Sequence, residues 1–211
     1  MSDTSMSRKS ANSLNIGRLL LEGRAFFALI AIIAVFSFLS PNYFTVSNFL
    51  IMASHVAIYG ILAIGMLLVI LNGGIDLSVG SVLALSGVMA GAMMQGVEVG
   101  PLGMIFYLPV WGVVVVACAI GALVGAVNGV LIGWFKVPAF VATLGVMYVA
   151  RGVALLQTNG LTYNNLSGKP ELGNTGFEWL GFNRLAGIPI AVIVLFVLAV
   201  LTWLMLSRSS F

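Results

Sequence analysis

Residues 60–91 read GILAIGMLLVILNGGIDLSVGSVLALSGVMAG, two apolar runs joined through a polar break with no linker between them. The break places Asn72, Gly73, Gly74, Asp76 and Ser78 between segments of membrane length. Backbone amides and carbonyls freed there find no partner in lipid, so such a break is tolerated only where protein or water satisfies it. This restricts the chain to helices that cross or enter a bilayer and pack around the break.

Composition leads to the membrane independently. Of 211 residues, 61% are hydrophobic and 7% charged, against about 25% charged in soluble domains. A net charge of +3 with scattered carriers does not suit a nucleic-acid surface. Cys118 is the single cysteine and His55 the single histidine, so neither an internal disulfide nor a His/Cys metal site is expected. The one Gly-Lys pair, Gly168-Lys169, runs into Pro170 and is not a phosphate loop. Neither an enzyme nor a cofactor site is expected, and any ATP hydrolysis belongs to another chain.

The expected fold class is all-α and polytopic, with about six transmembrane helices given the roughly 20 residues each crossing needs. The spans are Ala25 to Ser40, Phe49 to Leu71, the segment after Asp76 to Gln95, Met104 to Ile132, Val137 to Leu156 and Ile188 to Leu206. The larger polar connection, Thr158 to Gly187, holds Tyr163, Trp179 and Phe182, side chains suited to an interfacial or partner-facing cap. Residues 1–24 are expected to be a cytoplasmic segment and 25–211 one transmembrane domain. Arg8, Lys9, Arg18, Arg24, Lys136 and Arg208 fall on one side of six alternating spans, against Lys169 and Arg184 on the other. The positive-inside rule puts the first side, with both termini and the Asp76 loop, in the cytoplasm.

The pattern GM-x-x-VI-x-x-GGIDLSVGS, followed by GAVNG at 125–129 and VPAFVATLGVMYVARG at 137–152, resembles the membrane-spanning permease subunits of ribose/xylose/galactose-type bacterial ABC importers. The three blocks stand in the family's order across nearly the whole chain. The resemblance implies a multi-pass protein of the bacterial inner membrane. It would import a monosaccharide or sugar alcohol by alternating access. Its implied partners are an ABC ATP-binding subunit, a periplasmic sugar-binding protein and a second permease copy or homologue, besides membrane lipids. It also implies that the fold continues beyond Phe211 through a cytoplasmic coupling segment and further helices, leaving the permease domain incomplete here. Two alternatives stand beside it: a truncated, non-transporting membrane fragment, and an ion-coupled carrier, which Asp76 as sole acidic residue of the membrane region disfavours.

Three residues are candidates for the solute pathway: Asp76, Asn128 and Arg151. Asp76 has two readings, an intramembrane carboxylate for solute or gating and, with Ser78, a cap on the following helix. In the second reading Gly73 and Gly74 close the preceding helix with left-handed backbone. Arg151 either snorkels to the outer interface or, beside Tyr148 and Gly152, binds solute hydroxyls. Gly121, Gly125, Gly129 and Gly133 recur every four residues, forming a small-residue stripe of the kind that lets helices pack closely in lipid. Asn128 lies beside that stripe.

The orientation predicts the outcome of single-cysteine labelling in a Cys118→Ser background. Asn165→Cys should react with an impermeant thiol reagent from outside intact membranes, and Ser10→Cys only after lysis. Labelling of both from the same side contradicts the six-span count.

Overall fold

The computed structural model describes residues 23–99, 104–164 and 166–208. Arg8, Lys9, Arg18, the labelling positions Ser10 and Asn165, and the expected cytoplasmic segment up to residue 22 lie outside the described residues. The chain divides into two compact units, Met1–Phe49 and Leu50–Phe211.

In the first unit, α1 (Arg24–Leu39) ends where the Ser40 amide donates to the Phe36 carbonyl (3.0 Å) and Pro41 follows. Thr45 starts α2 (Val46–Leu71): its hydroxyl oxygen accepts the Asn48 N–H (3.3 Å), three residues into the new helix, a side-chain N-cap.

The second unit carries most of α2, then α3 (Val79–Gln95), α4 (Val110–Gly133), α5 (Ala139–Thr158), a short α6 (Phe177–Phe182) and α7 (Ile190–Arg208). Helices α2, α4, α5 and α7 are long and apolar enough to cross a membrane, while α1 and α3 are apolar but shorter. Helix α3 packs against both α4 and α5 and buries Ser81, Leu85, Ala90, Gly91, Ala92 and Met94. Leu85 meets Ala150 and Ala154 of α5, with Ile120 and Val124 of α4 closing the cluster. The small residues that admit this close approach are Ala150 and Ala154 on α5, each at most 6% exposed. The expected glycine stripe on α4 is different. A Cβ at Gly125, Gly129 or Gly133 would meet nothing within 4 Å, and at Gly121 only the Ser86 hydroxyl at 3.7 Å.

Three helix starts differ from the sequence expectation, each for a local reason. The fourth span was to begin at Met104, but Met104–Phe106 forms β2, antiparallel to β1 (Val97–Val99) with Val97 opposite Phe106. Pro109, which has no N–H to donate to a ladder, then sits at the N-cap of α4. The sixth span was to begin at Ile188, but β4 (Ile188–Pro189) pairs with β3 (Arg184–Leu185). Ala186 and Gly187, at φ 52° and 84°, make the two-residue turn with positive φ that matches strand twist. The fifth helix starts at Ala139 because Pro138 takes its N-cap.

Connectivity sets two ends. The 72–78 break, the α4–α5 connection and the ends of α2 to α5 that flank them share one end. The β1–β2 hairpin and the 159–189 segment share the other. That segment is bolted to α3. Buried Asn174 donates from Nδ2 to the Met94 carbonyl (3.1 Å) and accepts the Lys169 N–H on Oδ1 (2.7 Å). Tyr163 packs so closely on Gly91 that a Cβ there would come within 2.6 Å of its ring. Leu166, Phe177 and Leu180 complete an apolar cluster with Ala90, Met94, Val110 and Val113.

The packed seam and the open stripe predict opposite responses to bulk. Ala150→Leu should overpack the α3–α5 contact by about 1–3 kcal/mol and lower the melting temperature of the detergent-solubilised chain. Gly133→Leu should leave it unchanged. Equal shifts contradict the assignment of the seam to α5.

Candidate functional site

The break between α2 and α3 becomes a site because local hydrogen bonds close it and two further helices reach it, α4 at Ser78 and α5 at the Ile75 carbonyl. Helix α2 closes through Asn72–Gly74. Gly73 adopts φ +74° and donates to the Ile70 carbonyl (2.9 Å), and Gly74 donates to the Val69 carbonyl (3.1 Å). The left-handed φ carries little cost for glycine. Two residues on, Asp76 makes a side-chain turn with its own backbone: Oδ1 accepts the Ser78 N–H at 2.7 Å.

This is not the direct helix cap expected from the sequence. Ser78 is the N-cap residue of α3, and no side chain caps the first turn. The carboxylate reaches the amide two residues ahead, and the helix amides beyond it lie past that short reach. The Ser78 hydroxyl donates to the same Asp76 oxygen, which fixes the hydroxyl proton. Its oxygen is left to accept from α4, where Asn128 donates from Nδ2 at 2.9 Å. Asp76, Ser78 and Asn128 therefore form one directed chain, with all protons pointing toward the carboxylate.

Burial gives that chain weight. Ser78 is 0% exposed and Asn128 6% exposed. Asn128 Oδ1 has no hydrogen-bond partner and is buried, a state that costs about 1–3 kcal/mol. Helix α5 adds a third anchor through Thr143, whose hydroxyl contacts the Ile75 carbonyl at 3.3 Å and that of Ala139 at 2.8 Å. The site sits on the wall of a cavity of about 250 Å³ bounded by Leu62 of α2, Ser86 of α3, and Gly121 and Gly125 of α4.

Of the expected pathway residues, the structure brings Asp76 and Asn128 together and leaves Arg151 apart. Arg151 is exposed on α5 and lines neither this cavity nor the larger one toward the other end. Gly121 and Gly125 line the cavity, whereas Gly129 and Gly133 do not. Two contributors were missed, Thr143 and Ser86. Each is a lone hydroxyl in an apolar run, and the contact from Thr143 to Ile75 closes over 68 residues, so no local spacing announces it. Among the described residues no group of three or more His, Cys, Asp or Glu could hold a metal ion.

The directed chain predicts non-additive stability. Ser78→Ala should cost about 1–3 kcal/mol, because it leaves both polar atoms of the Asn128 amide buried and unpaired. Ser78→Ala combined with Asn128→Leu should recover part of that loss in thermal unfolding. Additive losses contradict the coupling.

The family described as branched-chain amino acid transport system / permease component matches residues 48–211. The ribose import permease protein RbsC of Escherichia coli (strain K12) is 40% identical over 190 residues, 90% of this chain and 55% of that protein. RbsC of Haemophilus influenzae is 36% identical over 205 residues, 97% of this chain and 59% of that protein. The D-allose transport system permease protein AlsC of Escherichia coli (strain K12) is 32% identical over 187 residues, 87% of this chain and 52% of that protein. The chain thus spans a little over half the length of these relatives. No solved structure matches it significantly. With the match running from the start of α2 to the last residue, the chain is a multi-pass membrane protein that belongs to this transport-permease family.

Proposed function

We propose that the chain forms part of the membrane subunit of an ABC importer for a small, uncharged, polyhydroxylated solute of the ribose and hexose class. The relatives named for ribose and D-allose support the solute class. The observation that carries the reading is the site itself: a carboxylate, two hydroxyls and an amide around a cavity with no lysine or arginine among the described residues of its wall. Hydroxyl groups of a sugar donate to and accept from such side chains without needing a counter-charge.

A second reading follows from the family's description, a branched-chain amino acid as solute. Its carboxylate would call for a cationic partner or a cluster of amide donors. The walls of the 250 Å³ cavity and of the larger one described below offer no lysine or arginine, which favours the sugar.

Energy comes from ATP hydrolysed on a separate ABC subunit, and a periplasmic sugar-binding protein delivers the solute. A second permease copy or homologue completes the pathway. The chain lies in the bacterial inner membrane with the Asp76 end and the N-terminus cytoplasmic, as the placement of Arg24, Lys136 and Arg208 favours.

The test is uptake by the full-length permease reconstituted with its ATPase and binding protein. D-Ribose should accumulate only with ATP, and leucine should not accumulate. Leucine uptake would turn the assignment to the amino-acid reading. Uptake driven by an ion gradient after ATP depletion would falsify the ABC assignment.

A further inference from the structure

The cavity at Asp76 is not isolated. A second one, about 750 Å³, lies toward the other end of the same helices and shares Leu83 and Ser86 in its wall. The two therefore meet on one stretch of α3. At about 1.5 Å per residue, the lining from Ser78 to Ala90 of α3 covers roughly 18 Å of a hydrocarbon core about 30 Å thick.

Helix α4 supplies the opposite wall with a single face. Val114, Ala117 and Cys118 line the larger cavity and Gly121, Gly125 and Asn128 the smaller, and apart from the adjacent pair Ala117-Cys118 they are spaced by three or four residues, which keeps them on one side of a helix. Four of these six are Ala, Cys or Gly, so the wall is low along its middle. The glycine stripe alone would carry nothing. Beside it stands Asn128, 6% exposed and a lining residue of the smaller cavity, with Oδ1 buried and unpartnered. Hydrogen-bonding groups recur along the route. Asp76 and Asn128 stand at one end, Ser86 at the waist, and Tyr163, Asn164 and Glu178 at the far end, where Glu178 Oε1 accepts from the Ser167 hydroxyl.

We propose that the joined α3–α4 groove is this chain's wall of the solute route, with Ser86 and Gly121 at its constriction. The proposal rests on the importer reading above and gives it a location. With carboxylates at both ends and no lysine or arginine among the described residues of either wall, the groove repels anions. It suits an uncharged polyol that exchanges hydrogen bonds from Glu178 past Ser86 to the Asn128 and Asp76 cluster. Arg151, outside both walls, takes no part.

The glycine stripe supplies an internal control, because Gly125 lines the groove and Gly133 does not, while a Cβ at either meets nothing within the chain. In the full-length permease assembled with its ATPase, Gly125→Leu should lower D-ribose uptake by about tenfold or more at unchanged membrane abundance. Gly133→Leu should stay within about twofold of wild type. Unchanged uptake in Gly125→Leu, or equal loss in both variants, overturns the groove. Should Gly125→Leu fail to accumulate, cysteine accessibility decides. In a Cys118→Ser background, Gly125→Cys should react with a small charged thiol reagent about tenfold faster than Leu123→Cys on the exposed face of α4. D-Ribose should slow that reaction. Equal rates overturn the groove. If wild type moves no ribose, the importer reading fails, while the cysteine comparison still tests the groove as a water-filled path.

Discussion

Everything at the Asp76 end follows from one constraint: backbone freed where two apolar helices break must be satisfied by protein or water, because lipid offers it no partner. Residues 72–78 meet it with short-range bonds first, the Gly73 and Gly74 amides turning back onto α2 and Asp76 holding the Ser78 amide. Longer contacts follow from α4 through Asn128 and from α5 through Thr143. The break is thereby a junction of three helices. Among the side-chain atoms of the described residues, Asn128 Oδ1 is buried without a hydrogen-bond partner, and Asn128 is one of the residues lining the cavity beside the junction.

Helix α3 is the short member that the arrangement is built around. Its 17 residues rise about 25 Å, less than a full hydrocarbon core. It is held at one end by the Ser78 junction and at the other by Asn174 on the Met94 carbonyl. Between these anchors, Ala150 and Ala154 let α5 approach closely, since in lipid packing replaces the hydrophobic drive between helices. On its α4 side Ile120 and Val124 join the Leu85 cluster, and Gly121 and Gly125 beside them line the cavity.

The helices were legible because apolar runs of membrane length have few other solutions. Their starts were less so. Met104 and Ile188 looked like helix because hydropathy does not distinguish the first turn of a span from a two- or three-residue strand closed by a turn. The stripe at Gly121 to Gly133 was visible as small residues, yet spacing alone does not say whether a neighbour fills the space beside them. The α3–α5 seam, on Ala150 and Ala154, drew no attention because alanine is ordinary in any helix. At the site, Asp76 and Ser78 stood out by sequence proximity. The bond from Asn128 spans 50 residues and depends on the register of α4 against α3, which no local pattern encodes. Arg151 stood out for its charge alone, and on α5 it is exposed and lines neither cavity.

The account stands on the contact between the break and α4, and oxidative cross-linking reads that contact directly. In the full-length permease in membranes, with Cys118→Ser as background, Ser78→Cys paired with Asn128→Cys should form an intramolecular disulfide under mild copper oxidation. Ser78→Cys paired with Gly133→Cys should not. Mass spectrometry of proteolytic fragments distinguishes the linked peptides from free thiols. Free thiols in the first pair, or equal cross-linking in both, would contradict the docking of the Asp76 break onto α4.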